Sequence, residues 1–98
     1  MMPKDWALRK SRNLLELGIS NLKSEKFNDK LDGAKTINEE CSKIQSMAYA
    51  DNIESLVQVL LDAKILELFF NKDAHAQFVK RTDHLLKLLM EQKAITKD

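Results

Sequence analysis

The side chains best suited to chemistry are Cys41, His75 and His84, together with the acidic pairs Glu39–Glu40 and Asp51 with Glu54. A cysteine nucleophile works as a thiolate, which needs a nearby base or a helix N-terminus because the free thiol is mostly protonated at neutral pH. Cys41 has neither signal. It lies between Ile37 and Ile44 at intervals of four and three residues, in the middle of a helical apolar stripe, where a free cysteine behaves as a small hydrophobe. The spacing predicts a buried structural thiol. His75 and His84 are nine residues apart, which on a helix amounts to about 900° and sets them on opposite faces. They cannot chelate one metal ion within the chain. His75 is expected in the first turn of its helix, bonded to a neighbouring backbone group, and His84 is expected to face solvent or a partner.

The acidic pairs carry little catalytic promise. General acid–base work needs carboxylates that converge on a cleft, whereas adjacent helical residues such as Glu39 and Glu40 diverge by about 100° and predict a solvated face. Asp51 and Glu54 have capping-box spacing, with Asp in the place usual for Ser or Thr. Glycine-rich phosphate loops, H-E-x-x-H and G-x-S-x-G are absent from the sequence. One cysteine cannot form an internal disulfide, and with two histidines it leaves too few soft ligands for a closed zinc site. No metal or other cofactor is expected.

The elements that position these groups read as helices. Pro3 and Asp5 suit a helix start, and Leu8, Leu15, Ile19 and Leu22 continue one stripe, with a bend or break allowed near Gly18. Phe27, Leu31, Ala34, Ile37, Cys41, Ile44 and Ala48 give the cleanest periodicity, with Asn28 or Asp29 as the cap and Asp32, Glu39 and Glu40 off the stripe. Asp51 or Asn52 predicts a fresh N-cap before Ile53, Leu56, Val57 and Leu60, with the helix ending near Asp62 or Ala63. The run from Ile65 to Phe70 has no period-two partner elsewhere, so it predicts a short buried helix and not a strand. Asn71, Lys72 and Asp73 supply turn and cap chemistry for a last helix from about Ala74 to Gln92. Its apolar face carries Phe78, Val79, Leu85, Leu86, Leu89 and Met90, and the tail from Ala94 to Asp98 is expected to fray or lead onward.

With 98 residues, 44% of them hydrophobic and 32% charged, and with two glycines and one proline, the chain predicts a single all-α domain over residues 1–98. The fold class expected is four to five antiparallel helices, in a bundle or a HEAT/armadillo-like repeat. The expected core is Phe27, Ile37, Cys41, Leu56, Leu60, Leu66, Phe69, Val79, Leu86 and Leu89. Sixteen basic side chains against fifteen acidic ones leave a net charge of +1, so bulk attraction to nucleic acid or an anionic membrane is disfavoured. Charge is nonetheless polarised: residues 1–30 carry seven basic and four acidic side chains, residues 31–73 four and eight. Lys4, Arg9, Lys10 and Arg12 beside Trp6 carry the alternative reading, weak binding of nucleic acid or an acidic lipid surface. The first ten residues lack the apolar core of a secretory signal, and the cysteine usage suits a reducing compartment, which predicts a cytoplasmic protein.

The stretch AKILELFFNKDAHAQFVKRTDHLLKLLMEQKAIT, from Ala63 to Thr96, resembles a segment in the long helical regions of the very large ubiquitin-specific proteases. In those deubiquitinases a helix ends in a short Ile-Leu-rich run, a turn with an acidic residue and a His follows, and a long helix finishes in a Leu-rich face before Leu-Thr or Ile-Thr. Asp73, His75 and Arg81 are the most telling polar markers. Phe27 to Ile44, with KLDGAKTINE, resembles the helix upstream, and the likeness spans residues 27–96. The resemblance implies a HEAT- or armadillo-like helical scaffold. It implies no protease activity, because neither the family's cysteine box nor its histidine box surrounds Cys41, His75 or His84.

The sequence therefore predicts a non-catalytic protein–protein interaction or scaffold module, set in or resembling the non-catalytic region of a large deubiquitinase. It acts on no small-molecule substrate, its partner is another protein, and self-association through apolar Trp6 and Ile95 is allowed. His75, Lys80, Arg81, His84 and Lys87 on the last helix are the expected contact residues.

Overall fold

The computed structural model describes residues 3–46 and 51–91, and their side chains from 8 to 46 and from 52 to 91. Five helices follow one another: α1 Pro3–Leu22, α2 Phe27–Gln45, α3 Asp51–Asp62, α4 Glu67–Phe70 and α5 Lys72–Glu91. No strand occurs among the described residues. The four long helices touch in the cyclic order α1, α2, α3, α5 and back to α1, while the short α4 packs on α5. Of the two packings the sequence allows, this closed ring is the bundle.

Each of the four long helices contributes most of its predicted stripe to the core. Leu15, Leu22, Ile37, Cys41, Ile44, Ile53, Leu60, Leu85 and Leu89 are all fully buried. At about 25 cal/mol per Å² of apolar surface, burying each of the larger of these stabilises the fold by about 1.5–3 kcal/mol. Of the other expected core residues, Leu86 is buried and Leu56, Phe69 and Val79 are half-buried. Ala48, on the predicted α2 stripe, and Gln92 and the tail with Ile95 lie outside the described residues, as do the side chains of Lys4, Asp5, Trp6 and Asp51.

Gly18 does not break α1. The helix runs straight through it, and a Cβ there would stand 2.7 Å from Ile37 Cγ1. Gly33 faces it across the crossing: a Cβ on Gly33 would lie 2.6 Å from the Gly18 carbonyl oxygen and 3.0 Å from the Leu22 nitrogen. The two glycines let the backbones of α1 and α2 meet directly. Their helical cost of about 1 kcal/mol each is set against that close approach.

The α1–α2 turn also departs from the expected cap. Helix α2 begins at Phe27, with Lys26 as N-cap and no side-chain cap bond. Ser24 instead ties the turn to the helix start: its Oγ accepts from the Lys26 N–H at 3.2 Å and donates to Asp29 Oδ2 at 2.7 Å. At α5 the predicted chemistry appears in full. Asn71 Oδ1 accepts from the N–H groups of Asp73 and Ala74 at 3.0 and 3.1 Å, an N-cap that starts α5 two residues earlier than the apolar pattern suggests.

Candidate functional site

The chemistry-bearing residues do not converge. Cys41 is fully buried, and burial pushes its thiol up from 9.0 to about 12, with the Glu40 carboxylate adding to the shift. A thiol in that state is protonated at neutral pH. Glu40 corrects the expectation of a wet acidic face, because it is only 2% exposed while Glu39 is exposed. Lys43 Nζ donates to Glu40 Oε2 at 3.0 Å from the half-open side. Helix α2 packs on both α1 and α3, so its buried arc takes in Glu40 beside the apolar stripe of Ile37, Cys41 and Ile44.

The two histidines diverge as the spacing predicts. His75 Nε2 donates to the Leu22 carbonyl at 3.2 Å, giving one of the unpaired carbonyls at the α1 C-terminus a partner. His84 is exposed. No group of three or more His, Cys, Asp or Glu side chains that could hold a metal ion occurs among the described residues, and no helix there is long and apolar enough to cross a membrane.

Of the expected contact residues, Lys80, His84 and Lys87 share one exposed stripe of α5, within an arc of about 60° at 100° per residue. Lys87 is held in an ion pair with Asp83 at 3.3 Å. Arg81 stands on the flank toward α3, and His75 lies apart from the other four, at the α1 end of the helix. In the basic N-terminal cluster Arg9 and Lys10 are exposed and Arg12 is half-buried.

A different feature dominates the surface. The segment from Ile65 to Phe70 was expected to be buried, but one helical turn has too little length to turn every apolar side chain inward. Ile65 and Leu68, three residues apart, point into the bundle, whereas Leu66 and Phe70, four apart, point out, 69% and 88% exposed. Phe69 lies between these directions and meets Phe27, with ring centroids 4.7 Å apart and planes tilted by 44°. Phe27 is thus 56% exposed at the bundle end and not a core residue, and Met90 is likewise on the outside.

Two clefts flank this corner. The one between α3 and α5 has a volume of about 290 Å³ and an apolar floor of Val59, Leu60, Ala63, Leu68, Ala74 and Phe78. Its rim carries Lys64 and Arg81 against Glu67 and Asp73. The second, about 310 Å³, opens on the other side of α4 beside Phe27, Phe69 and His75, with Lys30 and Lys72 at its edge. The corner was missed from sequence because the direction of each side chain on a four-residue helix is set by its neighbours. The density of apolar residues in Ile65–Phe70 was the available signal.

Comparison with protein-family models, curated proteins and solved structures finds no match to this chain.

Proposed function

We propose that the chain is a non-catalytic protein-binding module, acting in the cytoplasm, that receives a partner protein on the α4 corner. The observation that carries this reading is the outward pair Leu66 and Phe70 beside an apolar cleft. Large side chains left in water next to a concave apolar surface are the composition of an interface centre, where a few aromatic anchors supply most of the binding energy. Arg81 on the rim and Lys80, His84 and Lys87 on the adjoining stripe supply the polar border such a centre requires. A buried, protonated Cys41 and diverging histidines favour binding over catalysis. The resemblance of Ala63–Thr96 to the helical scaffold of the large deubiquitinases suggests a setting in which such a module would work.

The test compares proteins captured from a cytosolic extract by the wild-type chain, by Leu66→Asp with Phe70→Asp, and by Arg81→Glu with Lys87→Glu, followed by direct binding of any purified partner. Loss of a partner with the first pair, at unchanged helicity, is expected. An identical set of bound proteins for all three chains would overturn the reading.

A further inference from the structure

The α4 corner holds a projection and a receptor side by side. Leu66 and Phe70 stand out from α4, and the cleft between α3 and α5 opens next to them, with Leu68 of α4 in its floor. Phe70 does not fill that cleft, since its ring is 88% exposed. A cavity of roughly 150 Å³ holds a benzene ring, so a cleft of about 290 Å³ has room for a phenyl side chain and a neighbouring leucine.

An interface built on a twofold axis uses the same patch on both sides, so one patch must contain both the inserting group and its receptor. Its charges must also come in both signs, because each rim meets a copy of itself. The rim here does so: Lys64 and Arg81 oppose Glu67 and Asp73, two of each sign. Among the described residues none of these four forms an ion pair within the chain, which leaves them available to an incoming surface. A net charge of +1 adds no long-range repulsion between copies.

We propose that two copies of this chain pair about a twofold axis at the α4 corner, each placing Phe70 in the other's α3–α5 cleft. Glu67, carried beside Phe70 on the projecting helix, then faces Arg81 of the second copy. The inference rests on the reading of the corner as a protein-binding surface and names its occupant.

Sedimentation velocity of the full chain over a concentration series tests it. The mass is expected to rise from one chain to two. Phe70→Asp removes the anchor from a site that is already solvent-exposed, so folding is retained while the dissociation constant rises about 30-fold or more. Glu67→Lys and Arg81→Glu each weaken pairing about tenfold, since each sets like charges together twice across the axis. An equimolar mixture of these two variants recovers pairing, because both cross-axis contacts again join opposite signs. A one-chain mass at every concentration overturns the proposal, as does a dimer indifferent to Phe70→Asp or a mixture that shows no recovery. A monomer that still binds a different protein through Phe70 overturns the dimer and leaves the protein-binding reading standing, whereas a corner inert in both experiments overturns both.

Discussion

The α1–α2 crossing and the α4 corner treat apolar surface in opposite ways. At the crossing, Gly18 and Gly33 remove side chains so that two backbones touch, and Leu15, Ile37 and Cys41 leave no exposed surface. At the corner, Leu66, Phe70 and Phe27 add large side chains and leave them in water beside clefts. The first region secures the fold and the second leaves apolar surface in water. Small residues at a helix contact increase backbone proximity, while large residues on a one-turn helix exceed what the bundle can cover.

Mutations separate the regions by size of effect. Ile37→Ala empties a fully buried site at the crossing and is expected to cost about 2–5 kcal/mol in denaturant unfolding. Gly33→Ala is expected to cost about 1 kcal/mol in the same measurement. Its added methyl meets the Gly18 carbonyl and the Leu22 nitrogen, backbone atoms that cannot rotate away, and overpacking of about 1–3 kcal/mol outweighs the helical gain of about 1 kcal/mol. Gly18→Ala is expected to cost a similar amount, since its methyl would meet Cγ1 of the fully buried, β-branched Ile37 at 2.7 Å and the Gly33 carbonyl oxygen at 3.2 Å.

Cys41 gives the closed region a pH signature. Its folded thiol stays protonated up to about pH 12, while the unfolded thiol ionises from about 9.0, so the unfolded state binds fewer protons in that window. This contribution to stability is complete below pH 9 and declines as pH rises toward 12, at about 1.4 kcal/mol per pH unit. Equilibrium unfolding across that range, compared with Cys41→Ala, isolates the slope; an equal slope in both chains would remove Cys41 as its source. The smallest effect belongs to the corner. Phe70→Ser is expected to change stability by no more than about 0.5 kcal/mol, and a loss near that of Ile37→Ala would break the contrast.

Much of the bundle was legible because 3.6-residue periodicity reports which stripe is buried. Ile37, Cys41 and Ile44 on α2, and Leu85, Leu86 and Leu89 on α5, were found this way. So was the opposition of His75 and His84. Glu40 was misread because α2 packs on both α1 and α3, and its buried arc is wider than one apolar stripe. The sequence allows a bend at Gly18 because the partner of this glycine is Gly33, and that pairing exists only once α1 and α2 are in register. The candidate site was the least legible part. Periodicity needs several turns to define a face, and α4 offers one.

The His75–Leu22 hydrogen bond has a kinetic consequence. It joins residues 53 positions apart, whereas α1 and α2 meet across a four-residue connection. Contacts between neighbouring helices close short loops at small entropic cost, so the α1–α2 and α2–α3 pairs can assemble before α5 arrives. By then most of the intervening chain is already ordered. Closing the ring can then be a docking step of one helix onto a preformed surface, and among the described helix pairs in contact α1 with α5 spans the most intervening chain.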